Sequence, residues 1–303
     1  MKKIILSVVI ILISVPAFAV GQAGLDIAVL KAGVGARALG MGSAFSAVSD
    51  NVDAPYWNPA GLSQVKDNQL TTMQTRLSTD VDHYYISYVQ PFLSGSLGIS
   101  WIQVSLGNIS QTGVTTSEYN EVVTLGIFSY FSNAYLLAYG QDIAEGLSFG
   151  ITAKYLTTDM PGLITVEGGA YGYSVTPGIL WKPTGWLSIG YKIDEIINYQ
   201  KWTTKTEEVA PPKHRIGVAW KLSDGILLSG DVSQIAREGY LPEGSMGVEW
   251  KTNGIALRGG YENESATAGI GFEQDNIRID YAYVTQIALS TENVHRIALT
   301  GRW

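Results

Sequence analysis

The chain has 303 residues, with 20 basic and 27 acidic side chains for a net charge of −7, no cysteine, 46% hydrophobic residues and only 16% charged ones. The acidic balance excludes a nucleic-acid binder, which needs the opposite sign, and the missing thiols exclude a disulfide scaffold or thiolate metal site. A charged fraction well below the roughly 25% usual in soluble domains, with 34 glycines and 17 tyrosines, suits a β-barrel whose apolar residues occupy alternate positions facing lipid.

Lys2 and Lys3, the apolar run from Ile4 to Val15, and Pro16-Ala17-Phe18-Ala19 form the three regions of a secretory signal peptide over residues 1–19. The apolar run falls short of the roughly 20 residues of a bilayer-spanning helix, and no later stretch supplies one. Residues 20–67 are expected as a hatch segment and 68–303 as an outer-membrane barrel. Within the first, Gly35 to Leu62 is rich in small residues and has neither helical nor strand period, so it buries no face of its own and needs a container. Its Asn58-Pro59-Ala60-Gly61 corner is stiff: Pro59 fixes its own φ, Asn58 is biased to extended backbone and bonds locally, and Gly61 tolerates a left-handed turn. Asp50, Asn51 and Asp53 can be drawn as a calcium loop but lack the glycine and distant glutamate of that motif, so no metal and no cofactor are expected.

From residue 68 the pattern becomes alternating segments of about ten residues, the signature of a membrane barrel. Fourteen strands are expected, over 68–77, 83–90, 96–106, 121–143, 146–157, 168–182, 186–194, 213–222, 226–234, 243–251, 255–262, 265–273, 277–284 and 293–303. Ser132 and Asn133 are the one place where a strand could divide, and an even count argues against it. Short turns alternate with longer connections, which places the short side in the periplasm. Trp181, Trp186, Trp220, Trp250 and Trp303 all fall at strand ends beside the short turns, as an interfacial girdle requires. The period is clearest at the C-terminus, where Ile297, Leu299, Gly301 and Trp303 oppose Arg296, Ala298, Thr300 and Arg302. A terminal aromatic resembles the assembly signal of outer-membrane barrels, which makes the barrel-assembly machinery an expected partner through Trp303.

The wet strand faces carry Lys154, Arg215, Lys221, Asp231, Glu249, Arg258, Arg278, Asp280, Arg296 and Arg302. These point into the lumen, since a charge toward lipid at mid-depth costs about 2–4 kcal/mol. They either pair with one another or hold the N-terminal segment, with Arg37 and Asp50 as its natural partners. Pro177 interrupts a strand interior and cannot donate to the ladder; it marks either a harmless bulge or a kink that opens the wall sideways. His83, His214 and His295 sit singly at strand starts, and no nucleophile elbow, metalloprotease helix or phosphate loop is present, so an enzyme is not expected.

Arg37 to Gly42 (RALGMG), Ala44 to Asp50 (AFSAVSD) and Trp57 to Leu62 (WNPAGL) together resemble the N-terminal signature of the PorV/PorQ family of outer-membrane proteins. Asn58, Pro59 and Ala60 are also similar to the Asn-Pro-Ala corner in the hatch of FadL-family transporters. The resemblance implies an all-β, fourteen-stranded FadL-like barrel plugged by a small hatch, with Arg37, Gly40, Gly42, Asp50, Trp57, Asn58, Pro59, Ala60 and Gly61 as hatch motif. It implies two different jobs. The PorV/PorQ likeness implies an accessory or docking component of type IX protein secretion, receiving secreted cargo, for which the loop 195–212 with Tyr199, Trp202, Pro211 and Pro212 is the best docking face. The FadL likeness implies transport of long-chain fatty acids or other hydrophobic compounds through a pocket lined by Leu39, Met41 and Phe45 and out through the wall. The motif agreement favours the first.

Overall fold

The computed structural model describes residues 27–114, 121–164, 168–237, 239–285 and 293–303. The signal peptide expected at 1–19 and the first residues of the expected hatch lie outside these, as do parts of the loops expected at 107–120, 158–167 and 285–293. Period-two hydrophobicity becomes strands throughout: β1 (Gln69–Ser78), β2 (Val81–Phe92), β3 (Gly95–Val114), β4 (Val122–Ala144), β5 (Leu147–Asp159), β6 (Gly169–Thr184) and β7 (Leu187–Asp194). After two short strands, β8 (Ile197–Trp202) and β9 (Glu207–Glu208), the series resumes with β10 (Lys213–Ser223), β11 (Ile226–Ile235), β12 (Glu243–Thr252), β13 (Ile255–Glu262), β14 (Ser265–Gln274), β15 (Ile277–Val284) and β16 (Val294–Arg302).

Every neighbouring pair is antiparallel, β1 joins β16, and a β5–β6 ladder closes the sheet. Leaving out β8 and β9, which extend β6 beyond β7, the closed wall has fourteen staves. β4 is one strand, and its Ser132 and Asn133 pair with β3 and with β5. Asn133 needs no break because Trp101 Nε1 and Gln103 Nε2 donate to its Oδ1 at 3.2 and 2.8 Å. Two expectations need correction. β3 runs on to Val114, so much of the supposed loop after residue 106 is a projecting hairpin with β4, and 195–212 contains β8 and β9 where a loop was expected.

Alternation sorts the two faces. On β1 and β16, Leu70, Ile297 and Leu299 face out while Thr71, Met73, Ala298 and Thr300 are buried inside. The five girdle tryptophans are all about half exposed on the outer surface, as an aromatic belt at one interface requires. No helix among the described residues is long and apolar enough to cross a membrane; the strands do the crossing. The chain is a membrane-spanning β-barrel of the outer-membrane type.

Inside lies the segment before β1, folded as short helices over Ala28–Lys31, Ala36–Gly40 and Ala54–Trp57 and a 3₁₀ turn over Pro59–Gln64. Its Val34, Met41, Phe45 and Trp57 form one buried cluster with Met73, Tyr85 and Ile102 of the wall. Close approach of two backbones is what the wall glycines permit. A Cβ at Gly150 would overlap the Pro59–Ala60 peptide, and one at Gly260 would overlap Met41–Gly42. Overpacking of this kind costs about 1–3 kcal/mol. Gly150→Val is expected to leave a closed, heat-modifiable barrel while making the Pro59–Gln64 segment cleavable by protease, and limited proteolysis of the folded protein checks it.

Candidate functional site

The N-terminal segment is tied up by turn-type hydrogen bonds within itself, and the backbone groups that its short turns leave open meet inward-facing wall side chains. Ser87 Oγ donates to Val52 O at 2.8 Å, Thr152 Oγ1 to Pro55 O at 2.8 Å, Lys192 Nζ to Tyr56 O at 3.1 Å, Thr267 Oγ1 to Gly40 O at 3.1 Å and Ser96 Oγ to Val65 O at 2.8 Å. Asp231 Oδ2 accepts from Ser46 N–H at 3.0 Å. Together these donors and acceptors fix the segment's height and rotation in the lumen.

The corner behaves as its residues dictate, with one exception. Asn58 is extended, and its Oδ1 accepts from Ala60 N–H at 3.1 Å to start the 3₁₀ turn. Its Nδ2 donates to Ser46 O at 2.8 Å and to Ile179 O on the wall at 3.1 Å. One amide thus caps, crosslinks and anchors. Gly61 is not at a left-handed φ; a side chain is excluded there because its Cβ would overlap Ser49. Gly42, with φ +60°, does need glycine, and it also lies against the Tyr261 and Met246 backbone. Trp57 donates from Nε1 to Val34 O at 2.9 Å and packs edge-on to Phe45 and Tyr56.

Arg37 is the electrostatic centre. Its Nε and Nη2 grip Glu249 in a bidentate pair, both at 2.8 Å, and Nη1 pairs with Asp50. Glu249 also accepts from Arg258 at 2.7 Å, which reaches Asp280 at 2.8 Å, which in turn pairs with Arg278 at 2.8 Å. Burial works against the Arg37 charge, but Asp50 and Glu249 outweigh it and hold the guanidinium well above its ordinary range. Of the expected lumen charges, Glu249, Asp231 and Arg215 touch the segment, the last through Ser43 O at 3.2 Å. Arg258 bridges Glu249 and Asp280, and Arg278 pairs with Asp280, while Lys221 and Arg302 belong to rim pairs with Asp224 and Glu273. Asp50, Asn51 and Asp53 do not converge on a cation: Asp50 is committed to Arg37, and Asn51 Nδ2 donates to Asp53 at 2.9 Å. Burial, opposed by Arg278, pushes the Asp53 carboxyl up.

Between the segment and the strand ends remote from the short turns is a cavity of about 610 Å³. The hatch side contributes Leu30, Leu39, Tyr56 and Trp57, and the wall contributes Leu77, Val104 and Val284 alongside several charged residues. Of the three residues expected to line a pocket, only Leu39 reaches it. Met41 and Phe45 are fully buried in the cluster beneath, where the segment needs them as its own core.

Beside this cavity the wall changes partner. Along β6 the ladder to β5 is continuous from Gly169 to Trp181 and includes Pro177 opposite Ile151. On the other side β6 pairs with β8 over Ala170–Val175 and with β7 from Gly178 on, so Thr176 and Pro177 have no ladder partner there. Opposite them Glu195 adopts φ +60° and turns inward, bonding Ser174 Oγ and Lys154 Nζ, the latter at 2.6 Å, while Asp194 pairs with Lys192 at 2.9 Å. A buried charge cluster fills the interruption. Glu195, Lys192 and Asp194 were not singled out from the sequence; the lone signal was a pair of acids at the end of an apolar strand.

Removing one partner of a buried ion pair costs about 3–5 kcal/mol, whereas an exposed pair contributes about 0–1 kcal/mol. The Asp50 side chain is 39% exposed and that of Glu249 8%. Arg37→Ala is therefore expected to destabilise the folded protein several-fold more in free energy than Asp50→Asn, as read from urea unfolding in detergent micelles.

No family model matches the chain, and no curated protein matches its sequence. Solved structures do. The Pseudomonas putida toluene transporter TodX matches with a TM-score of 0.65 at 14% identity over 89% of this chain and 99% of that one. The CymD monoaromatic hydrocarbon channel matches with a TM-score of 0.66 at 14% identity, over 89% and 98% of the two chains. The Ralstonia pickettii toluene transporter TbuX gives 0.61 at 14% identity, over 89% and 98%. At such identities the likeness shows the fold, which is that of the FadL-like outer-membrane barrels. It also corrects the expectation of a type IX secretion component: the three structures named here are two toluene transporters and a hydrocarbon channel, and the supposed docking loop 195–212 folds back along β6, with Ala210 and Pro211 lining the cavity.

Proposed function

We propose that the protein carries hydrophobic compounds across the outer membrane, entering from the extracellular side into the cavity above the hatch and leaving through the wall. The observation that carries this reading is the position of the cavity. It is floored by a segment tied to the wall at many points, and it adjoins the one stretch, Thr176–Pro177, where the β6 ladder lacks a partner on one side. A route straight down would require breaking the Arg37–Glu249 pair and the hydrogen bonds from Ser87, Thr152 and Thr267. A sideways route requires only that Glu195 and its partners swing away from the interruption. The apolar part of the lining, Leu30, Leu39, Trp57, Leu77 and Val104, gives such a compound a surface to rest on. The hatch motif residues thus hold a seal.

The reading is tested with proteoliposomes containing the full chain and a radiolabelled hydrophobic compound such as toluene or decanoate. Uptake above that of empty vesicles is expected. Ala32→Trp, which adds an indole to the cavity from the hatch side, is expected to lower it by about fivefold or more, since filling a preformed pocket removes the volume a ligand needs. Uptake equal to that of empty vesicles for every compound tried would sink the proposal.

A further inference from the structure

A second chamber lies on the other side of the segment, toward the short turns. It measures about 130 Å³ and shares no lining residue with the larger cavity. Arg37, Asp50 and Asn51 face it from the segment, and Lys251, Glu273 and Arg302 face it from near the ends of β12, β14 and β16. Each of these three stands two residues from a buried one, Glu249, Gly271 and Thr300 in turn, and so shares the inward face of its strand. Outer-membrane barrels place their short turns in the periplasm, which makes this the periplasmic end of the lumen.

Five cations line the chamber, Arg37, Lys251, Arg258, Arg278 and Arg302, against three carboxylates, Asp50, Glu249 and Glu273. Asp280, buried at 2.8 Å from both Arg258 and Arg278, makes a fourth and leaves one positive charge over. Three of the four carboxylates are shared between two cations: Glu249 by Arg37 and Arg258, Asp280 by Arg258 and Arg278, Glu273 by Lys251 and Arg302. The sharing leaves donors over. Arg278 Nε is buried and meets Asp280 as an ion pair but without hydrogen-bond geometry. Gln69, also on the chamber, spends its Oε1 on Val52 N–H at 3.1 Å, which leaves its amide N–H groups to donate. Guanidinium and ammonium groups have no acceptor of their own. Water at about 30 Å³ a molecule fits the volume but brings no charge to meet the surplus. Donors arrive from the segment through Arg37 and from the wall through Arg258, Arg278 and Arg302. A tetrahedral oxyanion presents oxygens to all sides at once, whereas a carboxylate presents them on one side only, and guanidinium forks suit the former when they converge.

We propose that this chamber is a receptor for a small oxyanion of the phosphate class, drawn from solution at the short-turn end, and that the bound anion ties the segment to the wall through Arg37 on one side and Arg278 and Arg302 on the other. It lies across the segment from the cavity and stands whether or not hydrophobic compounds cross the barrel. A lipid headgroup carries the same phosphate chemistry, but the donors face the lumen and not the bilayer, so the source is a dissolved ion; the test separates the two.

Binding of inorganic phosphate, acetate and dihexanoyl phosphatidic acid to the full chain in nonionic detergent at low salt is measured by calorimetry. The native protein is compared with Arg278→Met, Lys251→Met and, as a control for loss of one charge, Arg76→Met, whose side chain is 70% exposed and absent from the chamber lining. One phosphate per chain is expected, bound about tenfold or more tightly than acetate. Losing the charge-assisted hydrogen bonds of Arg278 is expected to weaken phosphate by about tenfold or more, with Lys251→Met weaker in the same direction and Arg76→Met within about twofold of native. Both chamber variants leave every carboxylate a cation, Asp280 keeping Arg258 and Glu273 keeping Arg302, so native heat-modifiable mobility is expected and the loss is read on a folded protein. Saturating phosphate is also expected to slow proteolysis within residues 27–67 of the native chain several-fold and to have no such effect in Arg278→Met. No saturable phosphate binding by the native chain, acetate binding as tightly as phosphate, or phosphate binding that survives both chamber variants overturns the receptor. Phosphate bound without protection of the segment overturns the tie, and phosphatidic acid bound more tightly than phosphate overturns the dissolved source.

Discussion

Everything inside this barrel depends on how the wall completes the backbone hydrogen bonds that a segment of short turns leaves open. Short helices of four or five residues leave most of their terminal N–H and C=O groups open, and the lumen is closed to bulk water at their level. The wall answers with hydroxyls, amines and a carboxylate at chosen heights: Ser87, Thr152, Lys192, Thr267, Asp231. Without the segment Thr152 and Thr267 would lose their partner, while Ser87, Lys192 and Asp231 would keep Ser100, Asp194 and Arg215. Segment and wall are therefore one folding problem, and the polarity of the inner face is set by that partnership more than by anything passing through.

Charge obeys the same logic. Arg37 is buried because Glu249 and Asp50 are there to meet it, and Glu249 is tolerable in the lumen because Arg37 and Arg258 both claim it. The chain Arg37–Glu249–Arg258–Asp280–Arg278 alternates in sign, so each member has an opposite neighbour on at least one side. At the cavity, Arg296 keeps two buried nitrogens with no hydrogen-bond partner among the described residues, and Glu195, paired with Lys154, is drawn into a gap in the wall. Departures from local satisfaction of this kind mark the places where a structure has something other than stability to accomplish.

Much of the wall was legible in the chain. Strict alternation fixes which residues face lipid, and a one-residue slip would turn Ile297 and Leu299 inward and Arg296 outward, so strands such as β16 and β13 can be placed from sequence to within a residue or two. The tryptophans at the short turns lie about half exposed on the outer surface, as a belt at one interface requires. What stayed hidden is what depends on contacts distant in sequence. Nothing in the sequence couples Arg37 to Glu249, 212 residues away, and Met41 and Phe45 look identical as pocket lining or as core. β8 escaped notice because it is a continuation of β7 past an inward-turned Glu195, and its partner on β6 could not be inferred from a polar, proline-ended loop. Function is encoded at a different level: a shared N-terminal corner dictates how the segment packs against the wall, through Asn58 and Gly150, and carries no information on what the cavity above it holds.

The glycines facing the hatch have a consequence for how such a barrel ages and evolves. Where Gly150 and Gly260 meet the segment, the wall has no side chains of its own to fill the lumen, so the hatch is the packing material of the middle of the barrel and not a stopper set into a finished tube. A mutation that shortens the segment leaves a void; one that enlarges the wall leaves no room for the segment. The two surfaces can drift only together. Cavity-lining positions such as Leu77, Val104 and Pro211 face open space instead of a backbone, so they can change free of that constraint while the packed middle of the barrel stays as it is.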